Sequence, residues 1–130
     1  MRRIKLSRLL NRIKTGGKKL CPSQFRNVKL KRILIIFWGR MGEATLFTIF
    51  AQLLRKRYAK AHITYVIGKG GYEILKNDLN IDELIQADVE TYKKLAMDRP
   101  YDLAIDLHGD SASRLMAYLS GAKYCIFFTH

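Results

Sequence analysis

The run Ile33-Leu34-Ile35-Ile36-Phe37-Trp38 constrains this chain more than any other feature. Lys31 and Arg32 stand immediately before it and Gly39-Arg40 immediately after. A stretch this short, apolar at every position and rich in β-branched residues, has no polar side to give to water. It predicts a strand covered on both faces, as in a parallel sheet lying between layers of helices. The run is also far shorter than the roughly 20 apolar residues that a bilayer span requires.

Beyond Trp38 the chain alternates between two periods. Leu46, Phe47, Ile49, Phe50, Leu53 and Leu54 recur at helical spacing, and Arg55-Lys56-Arg57 at the end suit the negative pole of a helix. A second strand is expected at 62–67, a short helix at 72–76, a weaker strand at 82–85 and a helix at 89–97 before Pro100. A fourth strand at 101–107, a helix at 112–119 capped by Asp110 or Ser111, and a last strand at 123–128 complete the pattern. Gly121 is placed to close the helix before that strand. This alternation predicts an α/β, Rossmann-like three-layer domain over 31–130. Right-handed crossovers favour a parallel sheet of about five strands in the order 3-2-1-4-5. In that order the chain leaves strands one and four in opposite directions. The loop at 39–45 and the loop at 108–111 should then open on one crevice, where ligands of such sheets bind.

Charge divides the chain in two. Of 24 Lys and Arg, twelve fall in residues 1–32, which hold no acid; the remaining twelve face 11 acids over the rest of the chain. The net charge of +13 therefore belongs to an N-terminal arm rather than to the domain. Leu6, Leu9, Leu10 and Ile13 recur at helical spacing among Arg2, Arg3, Lys5, Arg8, Arg12 and Lys14, which predicts a short basic amphipathic helix. Gly16-Gly17 would end it, and Pro22 marks a linker running to about residue 30. Such a pattern fits an anionic membrane surface met through residues 1–19. It equally fits RNA, or a solubilising leader. The near-neutral domain, with no basic and aromatic sheet face, argues against nucleic acid as the partner. Neither apolar run, Ile33 to Trp38 or Ile126 to Phe128, is flanked like a signal peptide, and Cys21 and Cys125 have no disulfide or zinc-ligand spacing. A cytoplasmic protein, peripheral on the inner face of the cytoplasmic membrane, is the expectation.

The crevice lacks the usual nucleotide signatures. Strand one leads into Gly39-Arg40-Met41-Gly42-Glu43, which is not G-x-G-x-x-G, and Gly68-Lys69 follows strand two where a ribose-binding acid would be needed. No G-x-x-x-x-G-K-[ST] loop occurs either. The first loop does offer Glu43 in the opening turn of a helix. There the dipole and free N–H groups favour a carboxylate, which could act as general base or simply cap the helix. Asp106 should turn into hydrogen bonds beneath the second loop, with His108 a bridge or a ligand. Asp110, Ser111 and Arg114 surround a second helix N-terminus, suited to anions or sugar hydroxyls or to capping.

Several segments in order carry a resemblance. They are Arg32-Ile33-Leu34-Ile35-Ile36, Gly39-Arg40-Met41-Gly42-Glu43, Ala61-His62-Ile63-Thr64-Tyr65, Ile81-Asp82-Glu83-Leu84-Ile85, Tyr101-Asp102-Leu103-Ala104-Ile105-Asp106-Leu107-His108-Gly109 and Leu119-Ser120-Gly121-Ala122-Lys123. Together they resemble the lipopolysaccharide heptosyltransferases of glycosyltransferase family 9. The resemblance implies the N-terminal, acceptor-side half of a GT-B fold, with the half that binds the nucleotide-sugar donor absent from these 130 residues. It implies inverting transfer from an ADP-heptose-like donor to the anionic inner-core acceptor, with no metal or other cofactor. Glu43 would be the catalytic base. Gly39, Arg40, Met41, Gly42, His108, Gly109, Asp110, Ser111 and Arg114 would form the acceptor site. The family has Asp at the position of Glu43, and Ser113-Arg114 reverses its usual order. A domain of this kind should be inactive alone and need a separate donor-binding chain. The competing expectation is a non-catalytic binding or scaffold protein that keeps the fold.

Overall fold

A computed structural model describes residues 14–15, 18–19, 29–38, 41–98 and 100–127, with side chains over 29–38, 48–98 and 100–127. In chain order the elements are β1 (Lys14–Thr15), β2 (Lys18–Lys19), β3 (Arg32–Phe37), α1 (Met41–Arg57), β4 (His62–Ile67) and α2 (Lys69–Leu75). Then come β5 (Glu83–Gln86), α3 (Val89–Met97), β6 (Leu103–Asp106), α4 (Ser111–Leu119) and β7 (Tyr124–Phe127). The sheet order is β2-β1-β7-β6-β3-β4-β5. Its five longer strands are parallel and, numbered among themselves, run 3-2-1-4-5. The Rossmann-like domain read from the apolar pattern is the observed fold.

The apolar run sits at the centre because both its faces are used. Ile33, Ile35 and Phe37 join Ile63, Tyr65, Leu103 and Ile105 in a core covered by Phe50 and Leu54 of α1 and Tyr72 of α2. Leu34 and Ile36 join Val66, Ala104, Leu95 of α3 and Met116 of α4 on the other face. Residues 33–36 have no solvent exposure, so truncating one, as in Ile35→Ala, should cost about 2–5 kcal/mol.

At the amino ends of the strands, aspartates and arginines tie neighbouring elements together. Asp102 Oδ2 accepts from the N–H groups of Lys31 (2.8 Å) and Arg32 (2.9 Å), and Asp82 Oδ2 accepts from Ile63 N–H (2.7 Å). Each carboxylate thus pins the start of the adjacent strand. Arg55, in the last turn of α1, donates to the carbonyls of Ala61 and Asn80 and pairs with Asp82. Partial burial alone would raise the Asp82 pKa, but the Ile63 N–H and the Arg55 guanidinium outweigh it and hold the carboxyl below its usual range. The Arg32 guanidinium donates to the carbonyls of Asp98 and Pro100 and lies 4.3 Å from the centre of the Tyr101 ring.

The arm differs from its expected form. The spacing predicts Lys14 in an amphipathic helix, yet Lys14–Thr15 and Lys18–Lys19 are antiparallel strands, and Lys14 is paired with Cys125 of β7. The sheet consequently has seven strands where the pattern predicts about five. A Gly-Gly pair stops a helix, but it also suits a two-residue hairpin connection, and the open edge of β7 supplies partners that a short isolated helix lacks. Residues 1–13, where most of the amphipathic pattern falls, lie outside the described residues. The fourth strand is shorter than expected, because Tyr101 and Asp102 precede the ladder and Leu107 follows it.

Candidate functional site

β3 and β6 are neighbours, with Ile36 opposite Asp106, so the chain reverses its winding direction between them. Trp38, which follows β3, and residues 107–111, which follow β6, therefore flank one position on the sheet edge. α1 begins at Met41, earlier than the loop expected at 39–45 allows, and this makes Glu43 the third residue of the helix. Gly39 and Arg40 lie outside the described residues, as do the side chains of Met41, Gly42 and Glu43. What the fold fixes for Glu43 is its place, in the first turn of the helix that leaves β3.

The second segment is held from below by Asp106. This side chain is fully buried, and its Oδ1 accepts from the N–H groups of His108 (3.1 Å) and Gly109 (2.9 Å). Gly109 has φ 83°, a left-handed conformation that a residue with a Cβ would adopt only with strain. The other carboxylate oxygen, Oδ2, is buried with no hydrogen-bond partner among the described residues. Asp106 also lies close enough to Cys125 for its charge to matter. Burial, and after it that charge, push the Cys125 thiol up to about 11.

His108 serves as a bridge. Its ring centre is 4.6 Å from that of Trp38 and 5.8 Å from that of Phe37, and its Nε2 is 3.1 Å from Asp110 Oδ2. Asp110, of the two residues considered for the cap, is the one that caps α4. Its Oδ1 accepts from Ser113 N–H (2.7 Å), while Ser113 Oγ accepts from Asp110 N–H (3.0 Å). Partial burial would raise the Asp110 pKa, but the Ser113 N–H and the nearby His108 ring more than offset it and keep the carboxyl low. Ser111 opens α4 and is exposed. Arg114 is also exposed, with its guanidinium 6.0 Å from the centre of the Phe127 ring and over β7. The fold therefore gathers His108, Gly109, Asp110 and Ser111 at the switch point and sets Arg114 farther along the helix, toward the last parallel strand. Among the described residues, no three His, Cys, Asp or Glu side chains gather as a metal site.

Beside this loop lies a cavity of about 450 Å³ that the spacing of motifs did not reveal. Trp38, Gly68, Val89, Tyr92 and Met116 line it together with Asp88. These residues come from separate connections and helices, brought together because parallel strands end on one edge. The available signal was positional: Trp38, Gly68 and Asp88 each stand one or two residues beyond a strand. Gly68 is there for space, since a Cβ would come within 3.1 Å of both the Cβ and the carbonyl oxygen of Trp38.

The same architecture occurs in solved glycosyltransferases. A family 9 glycosyltransferase from Veillonella parvula DSM 2008 aligns with a TM-score of 0.66 and 28% identity, over 74% of this chain and 31% of that one. This chain has the fold of the family 9 glycosyltransferases. The E. coli ADP-heptose lipopolysaccharide heptosyltransferase II aligns with a TM-score of 0.62 and 23% identity, over 72% of this chain and 29% of its own. E. coli heptosyltransferase WaaC, solved with ADP, aligns with a TM-score of 0.53 and 20% identity, over 70% and 32%. The chain thus spans about three-tenths of the length of each of these three structures. No family model and no curated protein matches its sequence.

Proposed function

We propose that these residues form the acceptor-side domain of a heptosyltransferase-like enzyme that transfers a sugar from an ADP-heptose-like donor to an anionic lipopolysaccharide inner-core acceptor. The observation that carries the reading is the juxtaposition at the switch point: the helix bearing Glu43 leaves β3 where the His108–Gly109 loop leaves β6. Glu43 is the general base. In the first turn of α1 its carboxylate is favoured by the helix dipole, and it takes the proton of the acceptor hydroxyl as that oxygen attacks the anomeric carbon. Attack from the face opposite the departing nucleoside diphosphate gives inversion. Gly39, Arg40, Met41, Gly42, His108, Gly109, Asp110, Ser111 and Arg114 make up the acceptor surface, with Arg40 and Arg114 meeting its negative charge. No further cofactor enters the scheme.

The groups that bind and stabilise the leaving diphosphate belong to a donor-binding domain, supplied by more of the chain or by a partner chain. Residues 1–130 alone should therefore release no ADP from ADP-heptose in the presence of a Kdo-bearing acceptor, because lost orientation is worth roughly 7 to 11 kcal/mol of barrier. Adding a donor-binding domain should restore turnover, and Glu43→Gln should remove it again. Turnover that is indifferent to Glu43→Gln would sink the assignment of the base.

A second reading concerns the arm. Twelve Lys and Arg without an acid in residues 1–32 support attachment to the anionic inner face of the cytoplasmic membrane, each basic residue contributing on the order of 1 kcal/mol at the surface. Among the described residues no helix is long and apolar enough to cross a membrane. Replacing Arg2, Arg3, Lys5, Arg8 and Arg12 by Gln should abolish sedimentation with phosphatidylserine vesicles. Undiminished sedimentation would show that the arm is not the attachment.

A further inference from the structure

The cavity beside the switch point is lined by two aromatic side chains and one acid. Trp38 is fixed from two directions: the His108 ring lies against the indole at 4.6 Å, and the Gly68 backbone fits so closely against its Cα and Cβ that a larger residue at 68 would crowd them. Tyr92 stands on α3 with its hydroxyl 3.5 Å from the Ala112 carbonyl oxygen, so it joins α3 to α4 across the cavity. Asp88 caps α3 through Oδ1 alone, which accepts from Glu90 N–H (2.9 Å) and Thr91 N–H (3.1 Å). Asp88 is exposed, and among the described residues its carboxylate accepts hydrogen bonds through Oδ1, which leaves Oδ2 to face solvent. A volume of about 450 Å³ lies within the range of small-ligand pockets.

From this cavity we infer a binding subsite for the ring of an uncharged sugar, stacked on Trp38 with its hydroxyls donating to Asp88. The C–H faces of a pyranose are apolar and weakly positive at hydrogen, which suits the negative face of an indole. The hydroxyls around the rim need acceptors, and a carboxylate oxygen left over from a helix cap is one. The same carboxylate repels an anion. Among the described residues no Lys or Arg lines the cavity, so an acidic sugar loses there what a neutral one keeps. This inference rests on the reading of the chain as a sugar-acceptor domain and adds a neutral ring to the anionic acceptor contacted by the loops.

Trp38 is the sole tryptophan, so its emission reports on the site directly. The experiment is a fluorescence titration of the full 130-residue chain with methyl glucoside and with methyl glucuronide, which differ at the ring by one carboxylate. Methyl glucoside should change the emission saturably in the millimolar range, and the glucuronide should bind at least about fivefold more weakly. Asp88→Asn keeps a side chain that caps a helix as well as Asp does, so the domain stays folded, and it should bring the two affinities together. Gly68→Ala, checked for an unchanged circular dichroism spectrum, should weaken the glucoside by displacing Trp38. A flat glucoside titration overturns the subsite, as does tighter binding of the glucuronide or an unchanged preference in Asp88→Asn. Glu43→Gln should leave the titration as it was, so the subsite and the catalytic base fail separately. Restored turnover with a flat titration removes only the subsite, and a saturable titration with turnover indifferent to Glu43→Gln removes only the base.

Discussion

The two ends of the parallel sheet are built from similar residues to different effect. At the amino end, Asp82 and Asp102 each put one oxygen onto backbone N–H groups of the adjacent strand, and Arg32 and Arg55 bind carbonyls and a carboxylate from neighbouring elements. At the carboxyl end, Asp106 uses one oxygen and leaves the other buried without a partner among the described residues, Asp88 leaves an oxygen beside a cavity, and Gly109 holds a left-handed turn. At the first end these contacts tie strand entrances to neighbouring elements. At the second, the buried Oδ2 of Asp106 keeps unused capacity, which costs stability in the free domain and is recovered only when something else supplies donors. Aspartate identity alone does not separate the two roles. What sets Asp106 apart is that its second oxygen is buried, whereas Asp82, which likewise engages only one oxygen, Oδ2, is exposed to water.

The sharpest break in this comparison would come from activity. Once a donor-binding domain restores turnover, Glu43→Gln at the carboxyl end should lower kcat by roughly 10² to 10⁴-fold while leaving the melting temperature where it was. A drop in melting temperature of several degrees would move Glu43 to the structural side.

Arg55→Ala, at the amino end, should do the reverse. It removes charge-assisted bonds to Ala61, Asn80 and Asp82 and should lower stability by about 2 kcal/mol in a denaturant titration, with acceptor binding unaffected. Acid should pick out both ends to a lesser degree. Asp82 and Asp110 have folded-state pKa values below those of an unfolded chain, so their contribution is complete above about pH 4 and fades as pH falls through the lowered values. Melting temperature should thus be level from about pH 7 to about 5 and fall below about 4, and Asp110→Ala should reduce that fall while costing about 1 kcal/mol for the lost cap at neutral pH. The smallest effect belongs to Asp106→Asn. An amide oxygen can still accept from His108 and Gly109, and no described partner of the second oxygen is lost, so stability should stay within about 1 kcal/mol. A loss of about 3 kcal/mol or more would mean that Oδ2 is engaged after all.

Much of the domain was legible because its determinants are local. The apolar run 33–38, the helical spacing after Leu46 and the cap at Asp110 or Ser111 each lie within one window of sequence; the run supplies β3 up to Phe37, the spacing supplies α1, and Asp110 is the cap. The crossover rule then places β3 beside β6 with no further information. What stayed hidden depends on distant partners. Lys14 and Thr15 are extended because β7 offers an edge about 110 residues away, a fact no window around Gly16 contains. The cavity draws Trp38, Gly68, Asp88 and Met116 from distant parts of the chain, and Gly68 looks like an ordinary turn residue until Trp38 is seen against it. The roles of Asp82 and Asp102 were hidden for the same reason, since a carboxylate at a strand entrance reads as surface until the neighbouring strand's N–H groups are placed.

The antiparallel pairing of Lys14–Thr15 with Lys18–Lys19 has a consequence for solubility. By pairing with β7 this strand pair occupies main-chain groups that would otherwise template association with another copy, and it makes Lys18–Lys19 the outermost strand. Lysine on a margin strand is a familiar guard against edge-to-edge aggregation, because a second sheet can pair there only by bringing like charges together. Trimming the arm back to the first residues of the domain would strip away that guard along with the positive charge. Such a shortened chain should self-associate through the bared backbone of β7, so its behaviour with vesicles would report on clumping as much as on lost attraction to lipid.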